Sequence, residues 1–321
     1  MRNLWIKLRS KPMGYAVLYI ASKIYLVALY LVYAIRRVSP SAPGSIPGKV
    51  ISVGNLSSGG TGKTAFTHYL SRNYLMKGEK VCVLSRGYKG GDEAKQLADS
   101  LKKHFPAFCV ETGADRYQGA VRYINAHKNG HNPVFILDDG HQYHGIRKDL
   151  NIVLIDAIDH DQNRNLLPLG LLREPFEPAI KRADIAIITH ADLAGKGSLE
   201  RTRKLINGSG ARVPVFEAVH EPLDLVSLAD PAQHFPLERI EGENIVLFSG
   251  IGNPRSFEDT VARKTGAAVS RHFIFEDHAG YAQRTINDIA RWSRENNASW
   301  IITTSKDAAR LRALENLDTS P

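Results

Sequence analysis

Short apolar runs rich in β-branched residues alternate with longer mixed segments along most of this chain. Five such runs lie at residues 50–53, 80–84, 133–137, 151–155 and 184–189. The mixed segments are long enough for helices, and we predict one over residues 63–76. Strands without a polar face that alternate with helices are typical of a parallel sheet covered on both sides. The pattern therefore predicts an α/β core.

The pattern becomes less regular after residue 190. Residues 213–243 contain four prolines and are interpreted as a connection between two lobes. Three more apolar runs follow, at residues 244–249, 269–275 and 300–304. We therefore predict an N-terminal segment over 1–48, a core over 49–212, a connection over 213–243 and a smaller α/β lobe over 244–321.

The N-terminal segment carries the longest apolar run, over residues 14–35, which only Ser22 and Lys23 interrupt. As a helix this run measures about 33 Å, just enough to cross a bilayer. Basic residues flank it on both sides, so a spanning helix has no preferred orientation. We favour a helix that lies in the membrane interface, with a spanning helix and a helix buried in protein as alternatives. Five tyrosines favour the headgroup level: Tyr15, Tyr19, Tyr25, Tyr30 and Tyr33.

The net charge of +9 on the 321 residues is concentrated at the N-terminus. Residues 1–78 carry eleven lysines and arginines, the first acidic residue is Glu79, and the remainder is close to neutral. A basic segment beside an apolar run predicts contact with an anionic membrane surface. A nucleic-acid partner is not expected, because such proteins spread basic residues over a folded face. Two cysteines are too few for a disulfide scaffold or a zinc–cysteine site.

A glycine-rich turn over residues 54–64 separates the first predicted strand from the first predicted helix of the core. This is the context of a phosphate-binding loop, in which backbone N–H groups and the helix N-terminus cradle phosphate oxygens. We predict that Lys63 reaches the β- and γ-phosphates and that Thr64 ligates Mg²⁺. Ser57 stands where a glycine is usual. The rest of the predicted phosphate cradle is Ser57, Ser58, Gly59, Gly60, Thr61 and Gly62.

A second metal-binding element is predicted where Asp138 and Asp139 follow the apolar run 134–137. One carboxylate can hold Mg²⁺ while its neighbour orients the site or the nucleophile. With the loop, this pair predicts nucleotide-dependent phosphoryl transfer or hydrolysis. The acceptor stays open at this point.

These stretches resemble the tetraacyldisaccharide 4′-kinases of lipid A biosynthesis. The matching elements occur in family order over about residues 50–307, and three are specific to the family: Ser85-Arg-Gly-Tyr88, Asp138-Asp-Gly-x-Gln142 and Leu172-Arg-Glu-Pro175. The others lie at residues 52–56, 59–64, 91–93, 115–116, 149–152, 167–168, 248–250, 277–278 and 305–307. The family's loop also usually lacks the glycine that Ser57 replaces.

The resemblance implies a P-loop NTPase-like parallel sheet core, a second, smaller α/β lobe and an N-terminal membrane-associated helix. It implies a kinase that uses ATP and Mg²⁺ to phosphorylate the 4′-hydroxyl of tetraacyldisaccharide 1-phosphate, forming lipid IVA. This lipid A precursor stays in the bilayer, so the resemblance implies a peripheral or monotopic enzyme on the cytoplasmic face of the inner membrane. The alternatives are a kinase of another membrane glycolipid and a membrane-recruited nucleotide switch.

The resemblance also implies roles for individual residues. Asp92 and His278 match the aspartate–histidine pair that is the family's proposed general base. In such a pair the imidazole takes the proton of the hydroxyl, and the carboxylate orients the imidazole. Lys63 and Asp139 complete the expected catalytic set. His141 and Tyr143 replace the family's phenylalanine and histidine beside the metal. The expected substrate contacts, in which each arginine has a structural ion pair as its alternative role, are Arg86, Tyr88, Glu93, Arg116, Gln142, Arg173 and Glu174.

Overall fold

The computed structural model describes residues 11–38, 43–87, 92–127, 132–158, 165–276 and 279–311, without the side chains of residues 92, 93, 95, 96 and 196. The chain forms two compact units, of which the first ends at Ala218 and the second begins at Val219. The predicted N-terminal segment belongs to the first unit, and the predicted connection over 213–243 is divided between the two.

The first unit is built on a seven-stranded sheet in which all neighbouring strands are parallel. In the spatial order β3-β2-β4-β1-β5-β6-β7, its strands are β1 (Lys49–Asn55), β2 (Val81–Ser85), β3 (Cys109–Thr112), β4 (Val134–Asp138), β5 (Leu150–Asp156), β6 (Ile185–Thr189) and β7 (Val215–Glu217). The predicted α/β core is therefore confirmed. The pattern does not predict β3 and β7, because these edge strands have only four and three residues.

Helices pack on both faces of this sheet. Alternate residues of β1 enter different apolar clusters, since Ile51 and Val53 pack with residues of α2 and α3 while Val50 packs with residues of α4. Each of these buried side chains stabilises the fold by about 1.5–3 kcal/mol. The helices described in the first unit are α1 (Pro12–Val38), α2 (Lys63–Met76), α3 (Asp92–Lys102), α4 (Arg116–Ala126), α5 (Phe176–Ile180) and α6 (Lys196–Gly208).

The second unit has a three-stranded parallel sheet of its own, which confirms the predicted second α/β lobe. An antiparallel pair, β8 (Leu225–Val226) and β9 (His234–Phe235), and a 3₁₀ helix (Leu237–Ile240) come first. The sheet, in the spatial order β11-β10-β12, and its helices are β10 (Asn244–Ser249), α7 (Pro254–Thr265), β11 (Ala268–Ile274), α8 (Gln283–Glu295), β12 (Trp300–Thr303) and α9 (Ser305–Leu311).

Asp307 binds the backbone at the carboxyl end of β10. Its buried carboxylate accepts hydrogen bonds from the Gly250 N–H at 3.1 Å and from the hydroxyls of Tyr281 and Thr304, both at 2.6 Å. Burial raises the pKa of Tyr281, and its bond to Asp307 raises it further. Two of the family-like elements, residues 248–250 and 305–307, are therefore joined by hydrogen bonds.

Helix α1 exposes most of its apolar side chains. From Pro12 to Ile35 it is long and apolar enough to cross a membrane, and few of these residues are buried. The alternative in which this helix is buried in protein is therefore wrong. Two of the five tyrosines, Tyr25 and Tyr33, are hydrogen-bonded through their hydroxyls to Arg173 and Glu174 of the same unit.

Candidate active site

The carboxyl ends of β1 and β4 bring the two predicted elements of the site together. These strands are neighbours, with Val53 opposite Asp138. The phosphate-binding loop, residues 56–62, leaves β1 at this edge and ends at Lys63, where α2 begins. Gly62 has a φ angle of 81°, a left-handed conformation that glycine adopts without strain. A loop that ends in a helix N-terminus presents backbone N–H groups to an anion.

Buried side chains hold the phosphate-binding loop from beneath. The amide of Asn55 donates to the Ser57 carbonyl at 2.6 Å and to the Thr61 hydroxyl at 2.8 Å. The hydroxyl of Thr189, at the end of β6, donates to the Thr61 carbonyl at 3.1 Å. The chain's own side chains therefore fix the shape of the loop through these three hydrogen bonds.

The predicted phosphate cradle has two layers. Ser57 and Thr61 are buried, and their side chains lie on the protein side of the loop. Gly59 and Gly60 are exposed, whereas Ser58, Gly62, Lys63 and Thr64 are half-buried. The outer layer is therefore the part that a phosphate can reach, mainly through its backbone.

Asp138 and Asp139 are adjacent but have different partners. The Nζ of Lys63 lies 3.9 Å from Oδ1 of Asp139, and Arg173 donates to both oxygens of the same carboxylate, at 3.0 and 2.9 Å. Asp138 accepts a hydrogen bond at 3.3 Å from Thr67 on α2. The structure therefore joins Lys63, Asp139 and Arg173 in one charged cluster.

Asp139 is held in an unusual backbone conformation beside this cluster. Its φ angle is 50°, and the next residue, Gly140, leaves no room for a side chain, because a Cβ there would lie 2.6 Å from that of Leu137. Burial opposes the ionisation of Asp139, but Lys63 and Arg173 outweigh it and hold the pKa of the carboxyl below its usual value. Asp139 is therefore an anion at neutral pH.

Arg116, the first residue of α4, is a buried cation of the same site. Its guanidinium lies over the ring of Tyr143, 4.6 Å from Cζ to the ring centroid. The Tyr143 hydroxyl donates to Asp115 at 3.2 Å, which fixes the ring beneath the guanidinium. Within the described part of the chain the Nε of Arg116 has no hydrogen-bond partner. A buried guanidinium with an unpaired N–H is suited to an anionic ligand.

The arginine–glutamate segment, residues 172–175, runs beside the phosphate-binding loop. The Arg173 N–H donates to the Leu56 carbonyl at 2.9 Å, and the Ser58 N–H donates to the Leu171 carbonyl at 2.8 Å. Arg173 thus occupies the structural ion-pair role that the sequence leaves open, while it stays one quarter exposed at the site.

Glu174 lies beneath the site rather than on its surface, since only 2% of it is exposed. Its carboxylate accepts hydrogen bonds from Arg182 at 2.6 Å, from Gln142 at 3.0 Å and from Tyr33 at 2.9 Å. Gln142 also donates to the Asn55 carbonyl at 2.9 Å. The predicted substrate residues Gln142 and Glu174 therefore form one network with the base of the phosphate-binding loop.

His141 is buried beside this network and is uncharged at neutral pH. Burial and the charge of Arg182 lower its pKa to about 4. Lys148 donates to the carbonyls of Gly140 and His141, at 2.6 and 3.1 Å, and burial lowers the pKa of this lysine to about 8. A neutral imidazole adds no charge where the family has a phenylalanine, so the replacement leaves the charge of the site unchanged.

The remaining predicted residues are described only in part. Arg86 follows β2 and is exposed. Asp92 is the first residue of α3, but its side chain and that of Glu93 lie outside the described residues, as do Tyr88 and His278.

The site also contains residues that the sequence analysis does not assign to it: Asn55, Thr189, Lys148, Tyr25 and Tyr33. Asn55 and Thr189 have a detectable signal, because each is a polar residue at the end of an apolar strand. The two tyrosines have none, because aromatic residues in an apolar run are also expected at a membrane surface.

The oxygen donors at this edge of the sheet fit Mg²⁺. In the described ranges no three His, Cys, Asp or Glu side chains form a metal site by themselves. Mg²⁺ usually takes one or two carboxylates and completes its shell with water and phosphate oxygens. Thr64, Asp138 and Asp139 are donors of that kind.

The chain matches the family Tetraacyldisaccharide-1-P 4'-kinase (LpxK) over residues 15–320. It is 36% identical over 304 residues to the tetraacyldisaccharide 4'-kinase of Syntrophus aciditrophicus (strain SB), covering 85% of this chain and 78% of that protein. It is 31% identical over 319 residues to the probable mitochondrial tetraacyldisaccharide 4'-kinase of Arabidopsis thaliana, covering 91% of this chain and 80% of that protein.

A solved structure agrees with these relatives. The crystal structure of LpxK from Aquifex aeolicus in complex with ATP has a TM-score of 0.65 and 28% sequence identity to this chain, covering 94% of this chain and 91% of that one. The family match extends over nearly the whole chain, and it confirms the resemblance in the sequence motifs. This chain therefore belongs to the tetraacyldisaccharide 4'-kinase family.

Proposed function

We propose that this protein transfers the γ-phosphate of ATP to the 4′-hydroxyl of tetraacyldisaccharide 1-phosphate and forms lipid IVA at a membrane surface. The observation that carries the proposal is the cluster of Lys63, Asp139 and Arg173 beside a phosphate-binding loop, in a member of this kinase family. In phosphoryl transfer, catalysis consists mainly of positioning and charge stabilisation, which such a cluster supplies.

The nucleotide is bound by the phosphate-binding loop and the start of α2. Backbone N–H groups of residues 57–62 cradle the phosphates, and Lys63 binds their β- and γ-oxygens. Thr64, Asp138 and Asp139 hold Mg²⁺, which when bound neutralises charge on the phosphates. The hydrogen bonds of Asn55 and Thr189 support this role, because they hold the backbone of the loop from the side opposite its exposed glycines.

The acceptor is bound on the other side of the charged cluster. Arg116 and Arg173 hold phosphate oxygens by charge-assisted hydrogen bonds. His278 takes the proton of the 4′-hydroxyl, and Asp92 orients the imidazole. A neutral imidazole is suited to this step near pH 7.

Helix α1 lies in the membrane interface instead of crossing the bilayer. Hydrogen bonds from Ser22, Tyr25 and Tyr33 hold residues 22–33 against the first unit. Residues 12–21, which precede this stretch, are about 15 Å long as a helix, half of a hydrocarbon core about 30 Å thick. The exposed apolar residues of α1 therefore enter one leaflet, at the cytoplasmic face of the inner membrane where ATP is available.

An apolar groove of about 550 Å³ between α1 and residues 166–181 supports a lipid acceptor. Its lining residues are Leu26, Tyr30, Leu166, Leu172, Pro175, Phe176, Glu177, Pro178 and Lys181. One of its lining residues, Leu172, directly precedes Arg173 in the sequence, and another side of the groove is formed by helix α1. An acyl chain of the acceptor can lie there while the sugar reaches the charged cluster.

The function is tested with the full-length protein in vesicles that contain the acceptor. The vesicles are incubated with γ-labelled ATP and Mg²⁺, and the label is followed into lipid and into free phosphate. The proposal predicts label in the acceptor lipid. Label that appears only as free phosphate would support the nucleotide switch, and label on a different glycolipid alone would support the other kinase.

A further inference from the structure

We propose that Tyr33 and Tyr25 of helix α1 are positioning residues for phosphoryl transfer, so that the membrane-facing helix also aligns the active site. The inference rests on the proposed function and extends it. It follows from a juxtaposition in the first unit: one side of α1 binds the arginine–glutamate segment, whose Arg173 binds Asp139.

The two tyrosines reach the segment from the same side of the helix. They are eight residues apart, which is slightly more than two turns. The Tyr25 hydroxyl donates to the Arg173 carbonyl at 2.7 Å, and the Tyr33 hydroxyl donates to Oε2 of Glu174 at 2.9 Å. Two consecutive residues of the segment are therefore each bound by one tyrosine.

The carboxylate of Glu174 depends on its complete set of donors. It is buried, and a buried charge is stable only when its oxygens are hydrogen-bonded. Arg182 and Tyr33 both donate to Oε2, while Gln142 donates to Oε1 and to the Asn55 carbonyl below the phosphate-binding loop. Removal of one hydroxyl leaves the carboxylate partly unsatisfied, and the segment shifts to compensate.

A shift of the segment moves Arg173 relative to Asp139. On its other side the segment is already fixed to the phosphate-binding loop, because the Arg173 N–H donates to the Leu56 carbonyl. The two tyrosines bind the segment from the side of α1. One nitrogen of Arg173, Nη1, donates to both oxygens of Asp139, at 3.0 and 2.9 Å, so both hydrogen bonds depend on the position of that one atom.

The outer side of the same helix faces the membrane. Met13, Ile24 and Ile35 are each more than half exposed, whereas the hydroxyls of Tyr25 and Tyr33 are bound to the body. One helix therefore carries both sets of contacts: its outer side enters a leaflet, and its inner side aligns the active site. An anchor alone does not require these two hydroxyl contacts.

The test uses Tyr33→Phe and Tyr25→Phe in the full-length protein, because each substitution removes one hydroxyl and keeps the ring. Tyr15→Phe is the matched control, since Tyr15 is exposed on the same helix and its ring stacks on Tyr19. For each protein, kcat and KM are measured with acceptor in vesicles and in detergent, together with vesicle flotation and the thermal unfolding midpoint.

We expect kcat to fall about 10-fold in Tyr33→Phe, roughly the factor for one hydrogen bond to a charged group, and about threefold in Tyr25→Phe, whose partner is an uncharged carbonyl. Flotation and the KM for ATP stay unchanged, and kcat is equally low in detergent. A role limited to fold stability would instead lower the thermal unfolding midpoint and leave kcat per folded protein unchanged.

Two results overturn the inference while the proposed function stands. One is a kcat within twofold of wild type for both variants. The other is a loss of flotation together with full recovery of kcat in detergent, which would make the tyrosines part of an anchor only. A wild-type protein that labels no lipid overturns the proposed function itself, and this inference with it.

Discussion

The phosphate-binding loop and the arginine–glutamate segment lie side by side, but they are held in different ways. Asn55 holds the loop through Ser57 and Thr61, which are two and six positions away in sequence. The segment is held by Tyr25 and Tyr33, from 148 and 141 positions away. Asn55 thus holds the loop from within the same stretch of sequence, with one distant contact from Thr189, whereas the segment depends on a distant helix with exposed apolar residues.

This difference separates two properties of the kinase. Substitutions at the loop are expected to impair nucleotide binding and transfer with any acceptor. Substitutions at the segment are expected to leave nucleotide binding intact and to change transfer and its pH dependence. Four variants test this separation, from the largest expected effect to the smallest.

Lys63→Ala is expected to have the largest effect. It removes the cation proposed to bind the transferred phosphate and one of the cations that stabilise the Asp139 anion, so transfer falls about 10³-fold or more. The measurement is labelled phosphate in lipid under saturating acceptor. Lys77→Ala, at the exposed far end of α2, is the control and keeps normal transfer. Turnover near wild type in Lys63→Ala would remove the nucleotide site from this loop.

Arg173→Ala is expected to slow transfer by about 10²-fold without weakening ATP binding, since one preorganised donor is lost. Asp139 also loses a cation, so its pKa rises and the acidic limb of the kcat profile moves to higher pH. Arg122→Ala, which removes a surface pair with Glu111, is the control. An unchanged pH profile together with unchanged kcat would mean that the Arg173–Asp139 pair plays no part in transfer.

Asn55→Ala tests the support beneath the loop. The Ser57 carbonyl and the Thr61 hydroxyl each lose a buried donor, so the free energy of unfolding falls by about 2 kcal/mol and the KM for ATP rises about 10-fold. Denaturant unfolding and ATP titration measure the two effects. Asn73→Ala, which removes a surface bond to the Tyr69 carbonyl, is the control. If ATP binding is normal in Asn55→Ala, the loop does not depend on this residue for its shape.

His141→Phe is expected to have the smallest effect on transfer and a clear effect on acid stability. The folded pKa of about 4 lies below the ordinary value of 6.5, so between these pH values the unfolded chain binds more protons than the folded one. The wild-type free energy of unfolding therefore falls by about 2–3 kcal/mol from this group between pH 7 and pH 4.5.

His141→Phe removes that part of the pH dependence and restores the family's residue. Denaturant unfolding at both pH values measures it. If the free energy of unfolding changes equally between pH 7 and pH 4.5 in the two proteins, His141 does not titrate in this way. Arg182, Lys148 and Glu174, the charged groups around it, remain in the variant.

Much of the fold follows from sequence pattern, because local chemistry dictates it. The β-branched runs are buried on both faces of the sheet, so each continuous apolar run marks one strand of the core directly. Strands β3 and β7 escape prediction because they are too short to form such a run. The orientation of α1 also escapes it, because a tyrosine in an apolar run gives the same pattern whether it binds lipid or protein.

Part of the candidate site is likewise predictable from local sequence, and part is not. The loop and the aspartate pair are continuous motifs, and the parallel pairing of β1 with β4 brings them together. The resemblance implies a substrate contact for Glu174, and the structure places this residue beneath the site, where its donors come from three separate segments. Contacts between distant segments depend on the completed fold and leave no local signal.

The central claim is most directly tested by locating the phosphate in the product. Full-length protein is incubated with the tetraacyldisaccharide 1-phosphate, ATP and Mg²⁺, and the lipid product is examined by mass spectrometry and phosphorus NMR. We expect a second phosphate ester at the 4′ position, formed by the wild-type protein and absent with Lys63→Ala. A product phosphorylated elsewhere, or consumption of ATP with unchanged lipid, would contradict it.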